Sequence, residues 1–488
     1  MKSIITVLSL ILILSMSAMA VDFKVGGVYT AWAQSQHQFT LTEDVYDDDY
    51  VVQMLRFKVQ AIVNENLKIV TRFDMAQGWW GVDNEQRGLK RTGASGGSAL
   101  FDYKDTNFLF HVDQAYAEFT MPNLPITGRV GRMWYGIGNK IMLDNNYDGI
   151  QLDFNKVANH KVTVGWAKVN ENGDNTNDKY TAATATTTAT DTRDADLITV
   201  NINGAAMEGN LKYDVFGLYY SDRSVKDGSA YSPDGFNFFK TRYSAQVTNL
   251  MAFGAAATYK LGKLAINGEF DYLIGEDEIE NTVYGAKQMW DKNDGDLTGY
   301  NLYLKANFAA TEKVDVGGVL GLGSGDDDLT SGKGNVNKLR TSGFFYVTEI
   351  WEDSIMPDEE GITPQGLGAP NVRGYRELEN TTIVQLNTNL KLFKGFSAFF
   401  SYSYIRATQA IHAWTSDGAG DWVIQDASSN DLGQEIDFRF VYGLLDNTKL
   451  IFRGGYFMPG DAAGYLIVGH ANDLQPAYEL KGMFLVNF

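Results

Sequence analysis

From Tyr478 to Phe488 the chain reads YELKGMFLVNF, with Tyr478, Leu480, Phe484, Val486 and Phe488 on one parity and Glu479, Lys481 and Asn487 on the other. Side chains alternate across a strand, so this segment has one apolar and one wet face up to its last residue. The same alternation recurs upstream. Ile436, Phe438, Phe440 and Tyr442 oppose Glu435, Asp437 and Arg439, and Leu264, Ile266, Phe270 and Tyr272 oppose Asn267, Glu269 and Asp271. Val384, Leu386 and Leu390 oppose Gln385, Asn387, Asn389 and Lys391, while Phe400, Tyr402 and Tyr404 oppose Ser397, Ser401 and Ser403.

Period-2 segments long enough to cross a bilayer as tilted strands, roughly 9 to 14 residues, can be placed along the whole chain. They fall near 22–34, 50–64, 66–78, 107–121, 126–136, 147–155, 160–171, 194–203 and 210–222. The second half has them near 248–260, 262–275, 298–309, 313–323, 379–393, 395–408, 433–446, 447–459 and 475–488. That is about 18 strands, with 16 as the alternative count, and an even number is what bacterial single-chain barrels have. Links after even-numbered strands are tight (NEN, PNLP, NKVANH, NGAAMEG, LG, AATE, KG, DN). Those after odd-numbered strands are mostly long, at 35–49, 79–106, 172–193, 223–247, 276–297, 324–377 and 409–432. A β-sandwich would also alternate, but has no reason to gather its long loops at one end. The expected fold is all-β, a transmembrane up-and-down antiparallel barrel with short periplasmic turns and long extracellular loops.

The rest of the composition agrees. Lys2, the apolar run Ile4 to Met16 and the small-x-small Ala18-Met19-Ala20 predict a secretory signal peptide over 1–20, leaving one barrel domain over 21–488. No later apolar run reaches the length of a spanning helix, and mean hydropathy is -0.22. The 488 residues include no Cys, so neither a disulfide framework nor a cysteine-linked haem is available, and no cofactor is expected. A formal charge of -19 argues against nucleic acid as a partner. The five histidines, His37, His111, His160, His412 and His470, are dispersed with no nucleophile-base motif beside them, which leaves an enzymatic reading without support.

A terminal strand ending in Phe, with apolar residues on the same parity, resembles that of Gram-negative outer-membrane porins. The resemblance implies an assembly signal in Tyr478, Leu480, Phe484, Val486 and Phe488, read by the barrel-assembly machinery. It also implies outer-membrane lipid and lipopolysaccharide as surroundings, and a channel for passive diffusion of small hydrophilic solutes or ions. More locally, GRVGRMWYG at 128–136, LDNNYDGIQLDF at 143–154 and GGYFMPGDAAG at 454–464 are similar to segments of alginate-export-type barrels. That likeness implies a substrate-specific barrel for export or uptake of a saccharide or oligomer. A structural or adhesive barrel is the third reading. General porins are homotrimers and alginate-export barrels act singly; the chain carries no direct sign of either state.

With the apolar parity toward lipid, the polar parity lines the pore. Its basic members are Arg56, Lys58, Lys68, Arg72, Arg129, Lys212, Lys305, Lys391, Arg439 and Arg453; its acidic ones are Asp74, Asp153, Asp214, Glu269, Asp271, Glu435 and Asp437. Mixed signs predict opposed charges across a constriction and weak ion selectivity, unlike the electropositive pore implied by alginate-export barrels. Arg132 has the parity opposite to Arg129 and is expected on the other face. The long loops 79–106 and 324–377 are candidates to enter the pore, the latter through GFFYVTEIW. Acidic runs such as EDSIMPDEE at 352–360 lack the spacing of a dedicated calcium loop, so a solvated surface is expected and no metal site.

Phe488 would sit at a rim, where burial of a Phe contributes at most about 1.5–3 kcal/mol. Deletion of Phe488 is therefore expected to lower the amount of protein reaching the outer membrane while assembled molecules keep near-normal heat resistance on gels. Unchanged membrane levels would show that the terminal strand is not an assembly signal.

Overall fold

The computed structural model describes residues 21–42, 48–80, 111–170, 195–222, 247–278, 295–325, 334–335, 345–355, 378–416 and 422–488. The predicted signal segment 1–20 and most of loop 79–106 lie outside these. In chain order the strands are β1 (Asp22–His37), β2 (Asp48–Asn64), β3 (Leu67–Trp79), β4 (His111–Thr120), β5 (Ile126–Gly136), β6 (Asp144–Val157) and β7 (His160–Asn170). They continue with β8 (Ala195–Ala206), β9 (Leu211–Asp222), β10 (Val247–Leu261), β11 (Leu264–Glu278), β12 (Gly295–Ala309) and β13 (Val314–Gly323). Last come β14 (Gly334–Asn335), β15 (Thr381–Phe393), β16 (Phe396–Ser416), β17 (Trp422–Leu445), β18 (Thr448–Pro459) and β19 (Ala477–Asn487).

Each strand pairs antiparallel with the next. The exception is β14, two residues running parallel to β12 while β13 pairs directly with β15, so the antiparallel circuit has 18 strands. The circuit closes where β1 meets β19, in a register running from Val28 opposite Asn487 to His37 opposite Tyr478. Closure leaves no free edge. At the last residue, Phe488 exchanges two backbone hydrogen bonds with Gly27, at 2.8 and 3.1 Å, and its ring meets Phe57 edge-on at 5.3 Å.

Large apolar side chains stand exposed on one parity right around the wall, among them Val130, Ile150, Val200, Phe270, Leu304, Leu386, Tyr402 and Phe452. A continuous belt of that kind is tolerable only against hydrocarbon. Arg132 shares this outer parity and pairs with Asp148 at 3.6 Å.

Inside, at the long-loop end, the barrel is packed with chain that turns back into it. One apolar cluster joins Phe39, Leu41, Ile350, Trp351, Ile355 and Leu378 to the inward side chains Ile383, Ile405 and Phe457 and to Ala462, Ala463 and Leu466 of a short helix, α1 (Asp461–Ile467). A second gathers Ile137, Met142 and Leu143, from the link between β5 and β6, with Tyr135, Phe216, Leu218, Tyr220, Leu250 and Leu273. An 18-strand ring is wider than its own side chains can fill, and these returning segments supply the missing volume.

Two expectations need correction. Loop 409–432 is mostly strand, because β16 and β17 extend as a hairpin well beyond the period-2 segments. Register shifts at Ile405/Arg406, Arg406/Ile411 and His412/Trp414 break the alternation there and hid the strand from the pattern. The acidic run beginning at Glu352 is not solvated at its start: Glu352 and Asp353 are buried, at 0% and 1% exposure, in a single π-helical turn spanning Trp351–Ile355.

The two faces of β15 offer a direct check. Leu386→Arg, on the lipid side, is expected to destabilise the folded barrel by about 2–4 kcal/mol near the bilayer midplane, whereas Asn387→Arg on the lumen side stays near neutral. Denaturant unfolding in lipid vesicles measures both, and equal costs would remove the assignment of faces.

Candidate functional site: a charged lumen and an infolded strap

Strands β2 to β7 carry a ladder of ion pairs on their inner face. Arg56 holds Asp74 bidentately, Nε to Oδ1 at 2.6 Å and Nη2 to Oδ2 at 2.7 Å, and also reaches Asp113 at 3.8 Å. Arg72 pairs with Asp113, and Lys68 with Glu118 at 2.8 Å. Arg129 bridges Glu118 at 2.9 Å and Asp153 at 2.8 Å, and Lys161 adds a second contact to Asp153 at 3.0 Å. Charge-assisted pairs of this geometry hold long side chains in fixed positions.

The two signs are not equally exposed. Side chains of Arg56, Lys68, Arg72 and Arg129 keep 31%, 33%, 25% and 23% exposure, while Asp74, Asp113 and Asp153 keep 6%, 11% and 3%. Short carboxylates lie against the wall and the longer cations arch over them, so water in the lumen meets guanidinium and ammonium groups. Lys58, on the same face of β2, is exposed as well.

A bulge extends the ladder. Between Arg72 and Phe73 the β3–β4 register shifts, leaving Asp113 unmatched. Asp113 and Gln114 consequently both turn inward, where Asn146 donates to Asp113 at 2.7 Å and accepts from Gln114 at 2.8 Å.

Segment 345–355 is a strap folded against the inner face of β15, β17, β18 and β19. Glu435 accepts the backbone N–H groups of Ile350 and Trp351 at 2.6 and 2.9 Å, and Trp351 stacks on Phe457 with ring centroids 5.2 Å apart. Glu352 accepts from Val347 N–H at 2.6 Å and Leu378 N–H at 2.9 Å, closing the segment on itself. Asp353 meets Lys481 at 3.2 Å and Arg453 at 3.5 Å, and Arg453 reaches Glu349 at 2.9 Å. Glu479 accepts from Gln34 and Gln36 at 2.8 Å each and from Ser354 at 3.0 Å, and contacts Lys481 at 2.8 Å. The strap needs Gly455 beneath it: a Cβ there would stand 2.8 Å from Ile350.

All seventeen predicted lumen residues lie on the inner parity, but they fall into separate environments. Arg56, Lys68, Arg72, Asp74, Arg129 and Asp153 form the ladder. Glu435, Asp437 and Arg453 belong to the strap site, with Glu435 and Asp437 at 0% and 2% exposure. Glu269 and Asp271, at 3% and 0%, are covered where Asn139 N–H donates to Glu269. Asp214 lies beside them on β9, bound by Asn203. Lys212, Lys305, Lys391 and Arg439 stand nearer the short-turn end. The acids expected to oppose the arginines across a constriction are thus withdrawn from lumen water by returning chain. Charges the pattern did not name include Asp113, Glu118, Lys161, Glu349, Asp353, Glu479 and Lys481. Glu118, Lys161, Glu479 and Lys481 do obey inner parity, whereas a bulge hid Asp113 and a loop position hid Glu349 and Asp353.

A BenF-like porin from Pseudomonas fluorescens superposes with TM-score 0.51 at 9% identity, covering 96% of this chain and 99% of that one. The fold is that of outer-membrane porins. Pseudomonas aeruginosa OccK11 (OpdR) gives 0.50 at 9% identity over 96% of both chains, and OccK2 (OpdF), solved in complex with glucuronate, gives 0.50 at 9% over 96% and 98%. No protein-family model and no curated protein matches the chain. At 9% identity the likeness establishes architecture.

Burial pushes the Glu349 carboxyl up from its ordinary 4.5 to about 7; Arg453 and Lys481 pull it down, while Asp353 and Asp437 push it further up. A folded state that keeps this proton longer than the unfolded one is favoured fully below 4.5 and loses that contribution as pH rises through about 7. Hydrogen exchange of 345–355, corrected for intrinsic rate, is therefore expected to show less protection at about pH 8 than at about pH 5, and Glu349→Gln to flatten the difference. Equal opening free energies at both pH values in the parent protein would refute this.

Proposed function

We propose that this chain is an outer-membrane porin: a water-filled channel, narrowed by the 345–355 strap, through which small hydrophilic solutes diffuse passively. The observation that carries the reading is the unequal exposure along the ladder. Partly exposed arginines and lysines over buried carboxylates make a hydrated wall, and that wall favours anions although the whole chain is negative. The short turns are taken as periplasmic, as in barrels of this topology. Lipid, lipopolysaccharide and the barrel-assembly machinery are the partners this reading requires, with the residues from Tyr478 to Phe488 as the assembly signal and 1–20 as the export signal. A trimer and a single barrel are both consistent with it.

A second reading, selective passage of a sugar acid or related oligomer, is supported by the narrowing strap and by the glucuronate complex of OccK2. The segments 128–136, 143–154 and 454–464, read as resembling alginate-export barrels, would imply a saccharide route as well. A specific substrate is expected to block ionic current; a general porin is not.

Planar-bilayer recording tests the proposal. The purified barrel should give discrete conductance steps with anion preference, and Arg72→Gln with Arg129→Gln should shift the reversal potential toward cations. Trp351→Ala removes a buried aromatic contact of about 3–5 kcal/mol and should raise unit conductance by releasing the strap. Absence of steps in the parent protein would overturn the channel.

A further inference from the structure

A second charged region lies toward the short-turn end, next to the strap site: its Arg439 stands directly across from Arg453 in the β17–β18 register. Lys263 stands in the turn between β10 and β11, Lys305 near the end of β12, Arg439 near the end of β17 and Lys449 at the start of β18. Together they line one cavity of about 650 Å³, which Asn387, Asn389, Ser397 and Phe399 also line. Its size is within the range of small-ligand sites.

The charge state of this cavity differs from that of the ladder. No carboxylate among the described residues lies within ion-pair distance of Lys263, Lys305, Arg439 or Lys449, whereas the ladder arginines are all paired. The cavity's carboxylate, Asp315, is already engaged by Lys391 at 3.4 Å. Arg439 lies over the Phe399 ring at 5.3 Å, a contact that holds the guanidinium without spending its hydrogen-bond donors. The asparagines and Ser397 add neutral donors between the cations.

We infer that this vestibule is a binding site for oligoanions, compounds carrying two or more phosphate or carboxylate groups. Spacing sets that class. Neighbouring strands stand about 4.8 Å apart, and the four cations are spread from the β10–β11 turn to β18, so one small monoanion cannot reach them together. A ligand with several separated negative groups can. The assignment goes beyond the channel reading, because it concerns binding and holds whether or not the lumen conducts.

The test is calorimetric titration of the detergent-solubilised full chain with sodium tripolyphosphate, and separately with sodium acetate, at low ionic strength. Tripolyphosphate should bind and acetate should not. Combined Lys305→Gln, Arg439→Gln and Lys449→Gln should weaken binding by at least about tenfold, while Lys305→Arg with Lys449→Arg retains it. If the triple variant lacks the heat-dependent gel shift of a folded barrel, Arg439→Gln alone is titrated, with weakened binding still required. Tripolyphosphate affinity that is absent in the parent, or unchanged in the folded Gln variants, overturns the site. Bilayer recording separates the two claims: binding without conductance leaves the site and removes the channel, and conductance without binding does the reverse.

Discussion

In hydrocarbon an unpaired backbone N–H or C=O costs several kcal/mol, so a chain that crosses as strands must close on itself. The contact between β1 and β19 meets that demand, and the rest of the molecule depends on it. Closure brings the two ends of the barrel sequence together, so that Gly27 and Phe488 share backbone hydrogen bonds. It also places Gln34 and Gln36 of β1 beside Glu479 of β19, which turns the seam into one wall of the strap site.

Closing 18 strands creates a second problem, an interior too wide for wall side chains to fill. Returning chain solves it, but only by burying charge. The strap brings Glu349 and Asp353 against Glu435, Asp437 and Glu479, with Arg453 and Lys481 as the cations among them. Two cations do not neutralise five carboxylates. Backbone donors from the strap and amide donors from β1 compensate part of the desolvation, and apolar packing around Trp351 supplies the remainder of the hold. Seating of this kind is stable yet responsive to protonation.

The same geometry sorts the charges by length. Asp is short and stays at the wall; Arg is long and reaches over it, so the Arg56–Asp74, Arg72–Asp113 and Arg129–Asp153 pairs present their positive ends to the lumen. A net charge of -19 therefore says little about the pore, because part of the acid is sealed beneath the returning chain.

Local pattern carried most of the barrel. Alternation placed all 18 strands and the inner parity of Arg56, Arg72, Arg129 and Arg453, because side-chain direction in a strand repeats every two residues wherever the ladder is regular. Where bulges interrupt that repeat the pattern fails, which is why the β16–β17 extension and the inward turn of Asp113 were not legible. Exposure was beyond reach for a different reason. Glu435 and Arg56 share the inner face, yet one is sealed and the other wet, and that difference comes from a strap whose Ile350 lies 85 residues upstream of Glu435 folding onto its strand. Periodicity fixes the inward side chains wherever a strand is regular; which of them meet water is set by long-range packing of returning chain, since that packing and not strand periodicity controls solvent access.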